Sequence, residues 1–208
     1  MIIGISGYSG SGKDTVCSVI QDLDVHYNWQ RKKWAGKLKQ IASILTGIPE
    51  YKFEDNEFKK SNLGKEWNYN DFGKIGGKNN QPMSIRELLQ KLGTDALRNT
   101  LHNDVWVNAL MADYIPNCTP TDAFSKDLPN WIITDTRFPN EAKSIKDAGG
   151  VVIRVDRMSI APINTHYSEI ALDDWDFDYY IENSGTYKDL TDRVNEFLVT
   201  IIKKGKGV

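Results

Sequence analysis

The chain opens on an apolar run, Met1 to Ser6, that glycines stop at once. A short continuous run bounded by turn residues predicts a buried strand. Residues 13–23 then set Val16, Val19, Ile20 and Leu23 at helical spacing, so the order is strand, glycine-rich turn, helix. Residues 37–46 predict a second helix that ends at Gly47. From 50 to 82 the periodicity dissolves into a polar, aromatic stretch rich in Lys, Asn and Gly, expected to be loop with short local structure. A loop of that length inside a compact domain is uncommon and is often functional.

Patterning returns at Ser84, where Ser84 and Glu87 have the spacing of a capping box and predict a helix through Leu92. A further helix is expected over 95–101, and Asp104 is placed to cap another that runs to about Tyr114. Residues 131–134 (WIIT) predict a second buried strand, followed by a loop and a helix with Pro139 near its start. Gly149 and Gly150 end that helix, Val151 to Val155 form a third strand, and Tyr179 to Glu182 form another, at the edge or centre of the sheet. The last helix starts near Thr186, where Thr186 and Asp189 repeat the capping spacing. Leu190, Val194, Phe197, Leu198 and Ile201 share its apolar face. Strands alternating with helices imply an α/β fold with a parallel sheet covered on both faces.

Composition narrows the class. The 208 residues are 40% hydrophobic and 26% charged, enough apolar material for a sizeable core. A net charge of −2 argues against a protein that coats nucleic acid, which needs a strong basic excess. The charge is uneven: residues 1–104 carry 15 basic and 12 acidic side chains, residues 105–208 carry 11 and 16, so the first half is the better place for anions. Cys17 and Cys118 lie far apart and form no CxxC, which indicates two reduced thiols rather than a disulfide framework or a zinc site. The opening run lacks the basic flank of a signal peptide, and no apolar run approaches the ~20 residues needed to span a bilayer. The expectation is a cytoplasmic protein with no membrane partner.

The sharpest chemistry follows the first strand. Residues 7–15 (GYSGSGKDT) fit G-x-x-x-x-G-K, in the strand-to-helix position a phosphate-binding loop requires. Glycine lets the backbone wrap around a phosphate chain with its amides inward, the helix N-terminus adds free amides, and Lys13 can bridge the outer phosphates. Asp14 stands where Ser or Thr is usual, with Thr15 after it; a carboxylate there can hold magnesium directly or through water. A dinucleotide fingerprint would need glycine at Thr15, and a serine-hydrolase elbow would need glycine at Ser11.

A phosphate loop alone admits a kinase, an ATPase, a GTPase or a silent sensor. There is no N-K-x-D guanine-reading motif. A small-molecule kinase needs a second anion site, since two phosphate groups repel unless cations neutralise both. Lys39, Arg86 and Arg98 are candidates in the first half. Arg86, Gln90 and Thr94 fall on one face if the helix continues past Leu92, and Gly93-Thr94-Asp95 lies between Arg86 and Arg98. Asp135 sits just past a buried strand's carboxyl end, where open α/β sheets bind ligands, and Arg137 beside it can hold a phosphate bidentately.

These residues lie in segments whose order and spread match a family. The chain resembles the deoxynucleoside monophosphate kinases of tailed bacteriophages and related prophages. The matching segments are GYSGSGKDT (7–15), AGKLK (35–39), SIRELLQKLGTDALRN (84–99), DVWV (104–107), TDTRFPNEA (134–142), NTHYSE (164–169) and IENSGT (181–186). Aspartate after the loop lysine is usual in that family. The resemblance implies a P-loop kinase fold, a three-layer sandwich with a parallel sheet. It implies a single domain over 1–208, with residues 50–115 as a helical and irregular monophosphate-binding insertion and about 157–178 as a lid.

It also implies transfer of the γ-phosphate of ATP to a (deoxy)nucleoside monophosphate with magnesium, on small nucleotides rather than a nucleic acid polymer, and a homodimer. By motif position Gly10, Ser11, Gly12, Lys13, Asp14 and Thr15 would hold the ATP phosphates, with Asp14 and Asp135 toward magnesium. Lys39, Arg86, Gln90, Gly93, Thr94, Arg98, Trp106, Asp135, Arg137 and Glu141 would line the monophosphate site. Asn183 and Gly185 fall where such kinases contact adenine. Arg157 would join Lys13, Asp135 and Arg137 in catalysis as a lid arginine, with His166 a weaker candidate. The acidic run Asp173 to Asp178 is expected to be solvated surface. Two other readings stay open: a different small-molecule P-loop kinase, of the dephospho-coenzyme A or phosphomevalonate type, and a nucleotide-binding regulatory module without catalysis.

Overall fold

The structure is a computed structural model that describes residues 1–69, 80–114, 128–158 and 170–205. Cys118, His166, the NTHYSE segment and most of the expected lid therefore lie outside the described residues. The chain divides into two compact units, one of residues 1–34 and 111–208, the other of residues 35–110.

The first unit is built on β1 (Ile2–Ser6), β2 (Gln30–Lys32), β3 (Trp131–Ile133), β4 (Val151–Asp156) and β5 (Tyr179–Glu182). They form one sheet in the order β2-β3-β1-β4-β5, every pairing parallel. Such a sheet needs cover on both faces, and β1 and β3 are buried at every position. On one face α1 (Lys13–Leu23) and α6 (Tyr187–Gly205) pack together. There Ile3, Ile5, Val16, Ile20, Ile153, Val194 and Phe197 lose all solvent exposure. On the other face lies α5 (Pro139–Asp147), whose Ile145 packs so closely on Gly4 that an added Cβ would fall 2.4 Å from its Cδ1. The result is a three-layer α/β sandwich around a parallel sheet.

Strand β2 is not foreseen by the hydrophobic pattern. Gln30-Arg31-Lys32 carries no apolar side chain, because this edge strand is held through its backbone to β3 and by Gln21, whose Nε2 donates to the Trp29 carbonyl at 2.8 Å. The fourth expected strand is the opposite edge, β5. The acidic run after the described gap is more than solvated surface. Asp178 accepts from the Val152 amide at 2.8 Å and from Lys146 at 2.5 Å, and Asp173 pairs with Arg154 at 2.9 Å.

The second unit is helical. It contains α2 (Gly36–Thr46), 3-10 turns at Glu50–Glu54, Phe58–Lys60 and Lys65–Trp67, α3 (Ile85–Gln90), and the start of α4 (Val105–Tyr114). Phe53, Ala42 and Ile85 form its centre, with Ile48, Phe58, Leu63, Leu89 and Leu92 packed around them. The expected box at Ser84 is present: the Glu87 amide donates to Ser84 Oγ at 3.2 Å and the Ser84 amide to Glu87 Oε2 at 2.9 Å. The helix does not stop at Leu92 and restart at 95. It runs on from Gln90 as a π-helical stretch, Lys91–Leu101, marked by the His102 amide donating to the Leu97 carbonyl five residues back at 3.0 Å.

Phe197→Ala is expected to cost about 3–5 kcal/mol, because the ring has no exposed surface and packs against Tyr179. Val199→Ala, on the exposed side of the same helix, is expected to stay within about 0.5 kcal/mol. Urea unfolding of the two variants checks the pair.

Candidate functional site

The turn from β1 into α1 is shaped by two glycines whose surroundings leave no room for a side chain. Gly7 has φ +146°, and a Cβ there would fall 2.4 Å from the Val155 carbonyl oxygen. Gly12 has φ +99° and caps α1; its Cβ would fall 2.2 Å from Asn183 Nδ2. That same Nδ2 donates to the Ser11 carbonyl at 2.8 Å, so the loop is braced from the end of β5. Within the loop the Ser11 amide donates to the Tyr8 carbonyl at 3.1 Å. The Lys13 ammonium reaches back over the turn and donates to the carbonyls of Gly7 at 2.7 Å and Tyr8 at 2.8 Å. Ser11 is buried, and its Oγ has no hydrogen-bond partner in the structure.

Around this loop the first turns of α1 are tied to β2 by Arg31. Its guanidinium donates to Ser18 Oγ at 2.8 Å and to Cys17 Sγ at 3.2 Å, and lies 3.7 Å from Asp14 Oδ1. Asp14 and Thr15 are exposed. Burial pushes the Cys17 thiol up from its ordinary value, against the opposing pull of Arg31, so Cys17 stays a protonated core side chain. Beyond β3, Asp135 Oδ1 accepts from the Trp34 amide at 2.8 Å. Six residues on, the buried Glu141 turns back over the start of α5 and accepts from the amides of Arg137 at 2.8 Å and Phe138 at 3.1 Å. Arg157 follows β4 and is exposed. The Met158 amide next to it donates to Ser184 Oγ at 2.9 Å.

In the second unit Arg86 and Gln90 are exposed on α3, and Thr94 and Arg98 follow on the π-helical stretch. The altered winding breaks the strict four-residue register from Arg86 through Thr94 that a continuous α-helix would have kept. Gly93 is buried: a Cβ there would come within 2.8 Å of Leu38, and its carbonyl accepts from Trp106 Nε1 at 2.9 Å. Trp106 is itself 5% exposed. Lys39 is almost fully buried and its ammonium bonds the Glu54 carboxylate.

Comparison with known proteins decides what kind of protein carries this arrangement. The profile of the family described as deoxynucleotide monophosphate kinase matches residues 38–194. The chain belongs to the deoxynucleotide monophosphate kinase family. A putative deoxynucleotide monophosphate kinase of Acanthamoeba polyphaga mimivirus is 29% identical over 186 residues, covering 83% of this chain and 82% of that protein. The deoxynucleotide monophosphate kinase of Enterobacteria phage T4 is 32% identical over 115 residues, covering 55% of this chain and 45% of the phage protein. The deoxynucleoside-5'-monophosphate kinase of Escherichia phage T5 is 25% identical over 191 residues, with 71% and 72% covered. Among solved structures, a dephospho-CoA kinase from Campylobacter jejuni shares the fold with a TM-score of 0.53 at 14% identity, covering 98% of each chain.

The structure places most of the candidate residues in three groups. Gly10, Ser11, Gly12, Lys13, Asp14 and Thr15 form one continuous loop and helix start, and Asn183 joins them through its side chain. Asp135, Arg137 and Glu141 share the turn after β3, with Glu141 spent on that turn's own amides. Lys39, Arg86, Gln90, Gly93, Thr94, Arg98 and Trp106 belong to the second unit. Among the described residues no group of three or more His, Cys, Asp and Glu is gathered as for a resident metal, and no helix is long and apolar enough to cross a membrane.

Sequence reasoning missed two contributors. Tyr8 passed as a variable loop position, yet its ring lies against Arg154, 4.6 Å from the guanidinium carbon. Arg31 carried no signal, being one of several basic residues in a polar stretch.

Gly12→Ala is expected to lower the thermal midpoint, since left-handed backbone costs about 1–2 kcal/mol for a side-chain-bearing residue and Asn183 must also move. Gly36→Ala, with nothing within 4 Å of its added Cβ, is expected to hold or raise it. Calorimetric melts of the two variants provide the comparison.

Proposed function

We propose that this chain transfers the γ-phosphate of ATP to a deoxynucleoside monophosphate. The carrying observation is the braced glycine loop at the head of α1, with Lys13 seated on the loop's own carbonyls in a member of the deoxynucleotide monophosphate kinase family. In this reading the β- and γ-phosphates of ATP replace the Gly7 and Tyr8 carbonyls as partners of Lys13. Loop amides and the unpartnered Ser11 Oγ take the remaining phosphate oxygens.

The acceptor's phosphate is taken by Arg86 and Arg98, with Gln90 and Thr94 adding neutral hydrogen bonds. Lys39 already has Glu54 against its charge, so it holds that turn in place more than it adds positive potential. Trp106 and Gly93 give the acceptor base a wall through their mutual hydrogen bond. Arg137 and Arg157 balance charge on the group in transfer, and Glu141 fixes the turn that carries Arg137. Asn183 acts as a brace for the loop, which leaves adenine to the backbone of the 183–185 turn.

The reaction needs no covalent intermediate. An acceptor phosphate oxygen attacks Pγ, the bond from Pγ to the β–γ bridging oxygen breaks, and ADP leaves with that electron pair. Catalysis is positioning plus charge stabilisation, and the acceptor oxygen is nucleophilic without a dedicated base. The hard oxygens of Asp14, Thr15 and Asp135 fit magnesium, which binds through one or two carboxylates and keeps several waters. When bound, the ion supplies charge neutralisation between the β- and γ-phosphates.

A panel of nucleoside and deoxynucleoside monophosphates with ATP and magnesium tests the reading. Turnover of at least one deoxynucleoside monophosphate is expected, and turnover of none rejects it. Lys13→Ala is expected to lower kcat by at least about 100-fold. Arg86→Ala and Arg98→Ala are expected to raise the acceptor KM by about tenfold with little change in the KM for ATP. Unchanged acceptor dependence in both arginine variants refutes their assignment.

A further inference from the structure

A second charged cluster, separate from the phosphate and acceptor residues, lies beside the loop. Arg154 stands on β4 opposite Ser6 and is 8% exposed. Its Nη1 lies 2.9 Å from Asp173 Oδ1 and its Nε donates to Asp156 Oδ1 at 3.0 Å. The plane of its guanidinium is covered by aromatic rings, Tyr8 at 4.6 Å and Phe177 at 5.6 Å. Tyr8 then closes the circuit, its hydroxyl donating to Asp173 Oδ2 at 3.0 Å. Asp173 therefore serves both partners, one carboxylate oxygen each.

Burial works against the guanidinium's charge, but hydrogen bonds to Asp156, Asp173 and Tyr8 outweigh it and hold Arg154 more firmly protonated than usual. Burial and the bond to Asp173 likewise raise the Tyr8 hydroxyl, which keeps it a donor. The cluster is thus a fixed ion network of one cation and two anions.

Its position gives it a task. The loop's glycines supply neither side-chain anchors nor backbone stiffness, so the loop's shape must be imposed from outside. Tyr8 is the one large side chain of the loop, and its carbonyl accepts from both Lys13 and the Ser11 amide. Fixing the Tyr8 ring therefore fixes the carbonyl from which Lys13 must depart and the turn that aims the Ser11 amide.

We propose that Arg154 and Asp173 are positioning residues for the donor nucleotide: through the ring and hydroxyl of Tyr8 they hold the phosphate loop ready for a triphosphate. Electrostatics sharpens the expectation. With Arg154 present the three charges sum to −1. Without it, Asp156 and Asp173 stand uncompensated near a loop that must take a polyanion. Arg154 thus shapes the loop and shields the incoming phosphates from those carboxylates. The inference rests on the reading that this loop binds ATP.

The test separates the KM for ATP from the KM for the acceptor in Arg154→Met, Arg154→Lys, Tyr8→Phe and Asp173→Asn. Arg154→Met is expected to raise the KM for ATP about tenfold, equivalent to roughly 1.4 kcal/mol, and to leave the acceptor KM within about twofold. Arg154→Lys keeps the charge but loses the planar fork, and is expected to recover part of that loss, to about threefold. Tyr8→Phe keeps the ring on the guanidinium and removes only the bond to Asp173, so about two- to threefold is expected, and the same for Asp173→Asn. A simple loss of folded protein would lower kcat and leave both KM values alike. Should Arg154→Met fail to fold, the lysine and phenylalanine variants carry the test. ATP KM values within twofold of wild type, or equal rises in both KM values, overturn the proposal. A wild-type protein whose rate does not saturate with ATP overturns the reading of the loop itself.

Discussion

The fit of two backbone positions against their surroundings governs the glycine loop between β1 and α1. Gly7 lies against the Val155 carbonyl and Gly12 against the Asn183 amide, so the loop between them is pressed onto the carboxyl ends of β4 and β5. A side chain at either place would open the turn. The same contact explains why β1 must be central. Only a strand paired on both sides, here by β3 and β4, delivers its turn into the middle of the sheet's carboxyl edge.

Around that fit the charges are arranged with economy. Lys13 rests on loop carbonyls, Arg154 is surrounded by carboxylates and rings, and Arg31 is bound to the first turns of α1. The second unit offers exposed cations of a different kind, on α3 and on a π-helical stretch where the helix is wound more loosely. The excess of basic residues in the first half thus includes both donor and acceptor candidates, while Arg137, Arg154 and Arg157 are candidates in the acidic half.

Much of this was legible in the order of residues. Apolar runs marked β1, β3 and β4, because parallel strands buried on two faces are mostly apolar, Arg154 in β4 being an exception. The glycine-lysine pattern marked the loop, and Ser84 with Glu87 marked the start of α3. What escaped has a physical reason in each case. Strand β2 is an edge held by its backbone, so Gln30, Arg31 and Lys32 carry no hydrophobic signal. In the π stretch after Gln90, Gly93 meets Leu38 and Trp106, contacts that local propensity does not encode. The network of Tyr8, Arg154 and Asp173 joins residues up to 165 positions apart, and only the folded sheet brings them together. Glu141 and Asn183, marked by resemblance as ligand contacts, also bond backbone partners in the folded chain, which the sequence does not show.

The central claim is that donor and acceptor phosphates have separate places on one chain. Calorimetric titration of a deoxynucleoside monophosphate accepted by the enzyme into protein already saturated with a non-hydrolysable ATP analogue and magnesium addresses it directly. The account predicts one equivalent of monophosphate bound, with an affinity little changed by the analogue. Competition, in which the monophosphate binds only as the analogue is displaced, would contradict it.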